Sequence, residues 1–500
     1  MGQAIWVTAA AIVITLGWFL PVREGAVAWS TPPVLQMHPC VVGRSRAPAE
    51  CGAFRVYENR AAHAGRTIEL GFILLKAQHP SGRMIYLNPG GPGGLTTIYA
   101  SVLTGKQPPT YMKALWILRD RYDILLLDNR GIGESHSLDC STIYSQANPA
   151  PYYMELWPST ALRACREREA RISNLSQYVT DNAVDDLNDL RAELGYRKIV
   201  LFGDSGGTYF SLMYMRRHPA SVESALLNGV APPHLLIVPL PDAHAAQLAV
   251  NNLIRECASD GECHAHFPLL EQHFAALLTR LNRGPIAITI RNESTHRLQQ
   301  VLLSKEVFAD RMRQALYSSG FGKYVPLAVE DAYRGNDLAL GELIDSVTLF
   351  FAHILDTGAN LSYTCAEYVP FITPAMMART SAGSFMGDLR VRAQQRACAI
   401  WSVRPVPASE NTIVSSTLPV LMVSGTNDPA SPAIFAQQEL PYLPNAQLVL
   451  QRGAGHTDDS DCTVGLEVDF ILAHSARGLD AASCAGSWHR PPFVYSLPGT

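Results

Sequence analysis

Apolar residues along this chain of 500 gather into short runs at residues 66–75, 84–87, 124–128, 199–202, 225–227, 420–424 and 448–450. Several are unbroken rather than alternating, which predicts parallel strands covered on both faces. Ahead of the fourth run, residues 182–194 set Val184, Leu187, Leu190 and Leu194 on one helical stripe, and Gly195 follows as a stop. From about Pro232 to Pro407 the regular alternation ends and the chain turns helix-rich in Ala, Leu and Gln; the strand pattern resumes at Leu418. The order predicts an α/β domain with a mostly parallel central sheet, helices on both faces and an inserted helical cap. Its parts are a first core segment at 29–231, the cap at 232–410 and a second core segment at 411–500.

Composition adds a compartment and removes some partners. An apolar stretch at residues 4–20 is followed by a short polar piece and Ala26-Val27-Ala28, an A-x-A signature, so residues 1–28 read as a signal peptide. No Lys or Arg precedes the stretch, and its length reaches the lower limit of a membrane span, so an uncleaved anchor is the alternative. Ten cysteines, at positions 40, 51, 140, 165, 257, 263, 365, 398, 462 and 484, fit an oxidising compartment, secreted or periplasmic. They contain no C-x-x-C and no Cys/His cluster of zinc spacing, and neither a metal nor a cofactor is expected. With a net charge of -4 and no block of like charges, the chain offers no nucleic-acid surface. A hydrophobic content of 47% excludes a disordered chain, and there is no internal repeat.

The chemistry centres on Gly203-Asp204-Ser205-Gly206-Gly207, between the run at 199–202 and a helix-like run at 208–217. G-x-S-x-G on a strand-to-helix turn is a nucleophile elbow, which lifts a serine hydroxyl clear of the sheet edge; it makes Ser205 the expected nucleophile of an α/β-hydrolase fold. The same letters surround the serine of chymotrypsin-like proteases, but those need histidine and aspartate upstream and a strand downstream. Here Tyr209 to Met215 runs into Arg216-Arg217-His218-Pro219, an apolar helix closed by cations and proline.

A serine hydroxyl needs a base, and the base needs an acid, in the chain order serine, acid, histidine. Downstream, the strand at 420–424 ends in Gly425-Thr426-Asn427-Asp428-Pro429, and the strand at 448–450 ends in Gly453-Ala454-Gly455-His456. Asp428 and His456 are therefore the expected partners. Asp458, Asp459 and Asp461 are rival acids; because they follow the histidine, they are expected to form a solvated turn. The base must be neutral to take the serine proton, so activity is expected to fall in acid. For the oxyanion hole, Pro89-Gly90-Gly91-Pro92-Gly93-Gly94 allows close backbone approach to a substrate oxygen, and the N–H groups of Gly91 and Gly206 are the expected donors. A peptide or a small ester suits such a site as substrate; the fold also hosts non-catalytic binding proteins, for which a complete triad has no use.

Asn88 to Gly94, then Leu127-Asp128-Asn129-Arg130-Gly131-Ile132-Gly133-Glu134-Ser135, the elbow, residues 425–432 and Gly455-His456 together resemble the prolyl and tripeptidyl aminopeptidases of the α/β-hydrolases. Cys51-Gly52-Ala53 and the cysteine positions are similar to the secreted tripeptidyl-aminopeptidase branch. The resemblance implies cleavage of peptides from a free N-terminus beneath a cap that limits access. With short loop closure, it also implies the pairs Cys40 with Cys51, Cys140 with Cys165, Cys257 with Cys263, Cys365 with Cys398, and Cys462 with Cys484. The chain departs from the family at Gly206, where an aromatic often stands, at Asn129 in place of Gln, and at Thr457 in place of Gly. A substrate ammonium calls for a carboxylate in the cap, and Glu367 is the expected one.

Overall fold

The computed structural model describes residues 34–236, 238–293 and 295–497; the expected leader lies outside them. Its strands are β1 (Val34–Val42), β2 (Ala47–Tyr57), β3 (Thr67–Leu75), β4 (Met84–Asn88), β5 (Asp123–Leu127), β6 (Ile199–Asp204), β7 (Val222–Asn228), β8 (Ile286–Arg291), β9 (Leu298–Leu303), β10 (Val420–Gly425) and β11 (Ala446–Gln451). Nine of them form one sheet in the order β1-β2-β3-β5-β4-β6-β7-β10-β11. The first three and the β3–β5 pair run antiparallel, and the rest run parallel. The central strands β4, β5, β6 and β10 are buried at every position, which is what their unbroken apolar runs require.

The pleat divides these runs between two cores. Tyr86, Leu125, Leu127, Leu201 and Met422 face one, with Leu187 and Leu190 of the helix Thr180–Glu193 and Leu212 and Met213 of the helix Gly206–Arg217. Ile85, Leu87, Ile124, Phe202 and Val423 face the other, with Leu115 of the helix Thr110–Leu118 and Phe470 of the helix Asp461–Ala473. Helices thus cover both faces, and the protein has the α/β-hydrolase architecture.

Between β7 and β10 the chain packs in two ways. Residues from Ala243 to Val347, with Phe385, form a separate core that also takes in Tyr152 and Tyr153 from before the elbow and Phe493 and Leu497 from the C-terminal tail. Leu361, Cys365, Val391 and Trp401 join the main core instead. This stretch also contains the antiparallel pair β8–β9, which the helix-rich pattern did not predict. The strands β1 and β2 went unpredicted as well. Lying at and next to one edge of the sheet, they are of mixed burial and carry no unbroken apolar run.

Register brings the strand ends together. Asn88 of β4 lies opposite Gly203 of β6, Asp204 opposite Asn228 of β7, Asn228 opposite Val423 of β10, and Gly425 opposite Gln451 of β11. The carboxyl ends of five adjacent parallel strands therefore share one edge, where open α/β sheets place ligands.

Candidate active site

Ser205 follows β6 directly and adopts φ 56°, ψ -124°, a conformation that costs a non-glycine residue about 1–3 kcal/mol and persists only when its surroundings enforce it. The enforcement is visible. The Ser205 N–H donates to the Asn228 carbonyl of β7 at 2.8 Å, while the Ser205 carbonyl accepts from the Thr208 N–H at 2.9 Å and the Thr208 hydroxyl at 2.6 Å. The glycine-rich loop after β4 lies directly on this turn. A Cβ on Gly206 would stand 3.0 Å from the backbone atoms of Gly91, and one on Gly90, whose φ is 92°, only 2.4 Å from the Asp204 carbonyl, so the Gly90 position needs glycine. Asp128 fixes the loop from below, accepting from the N–H groups of Thr96 and Thr97 at 2.7 and 2.9 Å.

The structure brings Asp428 and His456 together. Asp428 Oδ2 lies 2.8 Å from His456 Nδ1, with both side chains almost fully buried. The Ala430 and Ser431 N–H groups donate to Asp428 Oδ1 at 2.7 and 2.9 Å. Burial opposes the Asp428 charge, yet the His456 charge, its hydrogen bond and these two amides outweigh burial and hold the carboxyl below its ordinary range. The imidazole sits against the end of β7: its Cε1 would be 3.2 Å from a Cβ on Gly229, the residue after the one that anchors Ser205. Ser205 Oγ has no hydrogen-bond partner among the described residues, leaving the serine side of the pair open.

Ser431 is an addition that the sequence reading missed. Its hydroxyl donates to Asp428 Oδ2 at 2.9 Å and lies 3.2 Å from His456 Nδ1, touching acid and base at once. Its place three residues after the acid, on the same loop, was the available signal.

Two expectations are corrected. Asp458 and Asp459 do not form a solvated turn. Asp458 Oδ2 accepts from the Gly455 N–H at 3.2 Å and Asp459 from the Asn228 amide at 3.1 Å; burial pushes their carboxyls up to about 6 and about 7. Only Asp461 is exposed, paired with Lys113. Nor does Glu367 offer itself to a substrate amine. It is 2% exposed, and its oxygens accept from the Thr180 N–H at 2.5 Å and the Thr180 hydroxyl at 3.0 Å, holding the first residue of the helix Thr180–Glu193. A carboxylate buried in that bond pair has no room for a ligand.

Away from these residues, ten cysteines form five disulfides: Cys40–Cys51, Cys140–Cys165, Cys257–Cys263, Cys365–Cys398 and Cys462–Cys484. Among the described residues no group of three or more His, Cys, Asp or Glu side chains is placed to hold a metal ion.

A mostly parallel sheet with a strained serine at a strand-to-helix turn, an acid–imidazole pair on the next strand ends and a glycine loop over the turn defines an α/β-hydrolase. The chain belongs to that family, whose model, described as alpha/beta hydrolase fold, matches residues 85–458. Among named proteins it is 24% identical to the serine protease Hip1 of Mycobacterium tuberculosis over 472 residues, covering 86% of this chain and 87% of that one. It is also 28% identical to the tripeptidyl aminopeptidase of Streptomyces lividans over 202 residues, covering 37% of this chain and 36% of the other. A solved proline iminopeptidase of Mycobacterium smegmatis aligns with 81% of this chain and 95% of its own at 12% identity and a TM-score of 0.35, too low to argue from.

Proposed function

We propose that this protein is an exported serine peptidase that releases short peptides or single residues from a free N-terminus through an acyl-enzyme. The observation that carries the reading is the 2.8 Å contact of Asp428 with His456 beside a strained Ser205. In this scheme Ser205 Oγ attacks the scissile carbonyl as His456 takes its proton. Asp428, kept ionised by its own hydrogen bonds, holds the tautomer and stabilises the imidazolium. The same imidazole then gives the proton to the leaving amine, and water repeats the sequence to release the acyl group. The N–H groups of Gly91 and Gly206 receive the developing oxyanion; the two residues lie together, a Cβ on Gly206 standing 3.0 Å from Gly91 N.

The relatives named as a serine protease and a tripeptidyl aminopeptidase support peptide bonds as the substrate. Five disulfides support an oxidising, extracytoplasmic location, because reducing compartments keep thiols free. The test is to profile the purified protein on free and N-blocked peptides, with a simple ester alongside and fluorophosphonate labelling of the serine. Cleavage confined to free-amine peptides is expected. Equal cleavage of blocked peptides removes the N-terminal specificity, and turnover of esters alone removes the peptidase reading. Ser205→Ala is expected to abolish turnover and labelling with the fold intact, and His456→Ala to cost about as much, because triad members act as a unit. Retained activity in either variant refutes the assignment.

A further inference from the structure

We propose that Tyr317, Phe351 and Leu355 form an apolar subsite that takes the side chain of a substrate residue flanking the scissile bond. The proposal rests on the peptidase reading above.

The three side chains make a wall from the base to the oxyanion loop. The Tyr317 carbonyl accepts the His456 N–H at 2.8 Å, and the Tyr317 ring centroid lies 4.8 Å from that of the imidazole. Phe351 meets the Tyr317 ring edge to face at 5.6 Å. One helical turn further, Leu355 closes a bridge to Gly94, and its Cδ2 would lie 3.3 Å from a Cβ on Gly91. One end of the wall thus touches the base and the other touches the proposed oxyanion donor. A carbonyl poised between them carries its neighbouring side chains past these three residues.

All three are only half-buried. Beyond them Phe350, 40% exposed, packs edge to face on Phe351 and on the buried Phe321. Apolar surface left open beside the reacting atoms is covered favourably only by an apolar group, since hydrophobic gain follows the apolar area removed from water.

A buried ionic cluster in the cap fixes the first of the three. Arg313 donates to the Tyr317 hydroxyl and lies 5.0 Å from its ring centroid. Asp310 and Asp242 hold Arg313 at 3.0 and 3.6 Å, and Arg390 reaches the same two carboxylates at 3.2 and 3.7 Å. Taking such charges out of water often costs as much as their attraction returns, so the cluster is a poor device for stability alone. It is a good one for holding a ring in one orientation against a base. Arg313 is accordingly a positioning residue, acting through Tyr317.

The test measures kcat/KM on peptide arylamides that differ only in the residue before the scissile bond, Ala, Leu or Phe, and on p-nitrophenyl esters of increasing acyl length. Phe351→Ala and Tyr317→Ala are expected to lower the ratio of the large to the small substrate by about tenfold or more, with the Ala substrate little changed. Tyr317→Phe, which keeps the ring and cuts its bond to Arg313, is expected to lower the ratio a fewfold. A uniform loss across the series overturns the proposal, because the wall then only supports His456. Phe351→Leu and Leu355→Ala, checked by circular dichroism, carry the test if the tyrosine variant fails to fold. If only esters are hydrolysed the peptidase reading falls, while loss of acyl-length preference in Phe351→Ala still upholds the subsite; preserved preference in both series overturns it.

Discussion

At the scale of single residues, Ser431 shows how much a hydroxyl can do without touching substrate. Its bond to Asp428 Oδ2 and its closeness to His456 Nδ1 leave the carboxylate and the ring one relative geometry. Without the hydroxyl, Asp428 keeps the bonds to Ala430 and Ser431 N–H groups on its other oxygen, so its charge survives while its aim loosens. Ser431→Ala is expected to lower kcat by about tenfold with KM nearly unchanged, since small displacements of catalytic groups cost large factors in rate. Steady-state kinetics decides it, and a change confined to KM would assign Ser431 to substrate binding. The strand-end placement of Ser205, Asp428 and His456 was legible because each follows an apolar run that reads as a strand, and the contact of Asp428 with His456 follows from that placement. Ser431 has no such signal; a serine after proline and alanine reads as loop until the acid and the base close around it.

Among the elements, the loop from β11 to the helix Asp461–Ala473 carries the base and is held from several sides. The Ser460 side chain caps the helix, accepting from the Thr463 N–H at 3.1 Å. Cys462 ties the same turn to Cys484, and the tail beyond returns over the loop: the Arg452 N–H donates to the Ala485 carbonyl at 2.9 Å, and Trp488 packs on Gly453. Arg490 then reaches Glu256 of the helix Asp242–Ser259 at 2.5 Å, and Glu256 accepts from the amide of Asn427, the neighbour of Asp428, at 2.6 Å. The tail therefore binds the His456 loop, the Asp428 loop and the helix Asp242–Ser259 to one another. Replacing Cys462 and Cys484 together with serine is expected to lower kcat more than it raises KM, measured where circular dichroism shows the variant folded. An unchanged kcat would make the bridge a matter of stability alone. The central strands and the helix at 180–193 were legible from their apolar patterns. β1, β2, β8 and β9 were not, because short or half-exposed strands such as β8, with Ile286, Ile288 and Ile290 alternating with Ala, Thr and Arg, carry no unbroken apolar run.

At the scale of the whole molecule, buried carboxyls make stability depend on pH. Burial raises Glu367 from 4.5 to about 8 and Glu439 to about 7, and lifts Asp204 and Glu467 well above the usual range. Over the interval between ordinary and raised values the folded chain holds protons that the unfolded chain has lost, so unfolding free energy falls as pH rises. Asp428, held low, acts oppositely, and only as pH drops below 3.8. The thermal midpoint is therefore expected to be highest at about pH 4 and to decline from about pH 5 to about pH 8. Glu367→Gln removes one of these protons while keeping an oxygen for the Thr180 N–H, and is expected to flatten that decline measurably in calorimetry. An identical slope in the variant would show that Glu367 is not among the groups responsible.

The sequence by itself determined the fold class, the core strand segments and the placement of Ser205, Asp428 and His456 at strand ends, because strand burial and the nucleophile elbow are written in contiguous residues. Tertiary structure alone decided that Glu367 ends as a buried partner of Thr180, that Asp458 and Asp459 are partly buried and hydrogen-bonded to Gly455 and Asn228, and that Tyr317 stands beside His456 with Phe351 against it. These facts depend on which distant segments meet. A carboxylate has the same letter whether water or a helix terminus faces it; only packing sets its partner, its charge and its use.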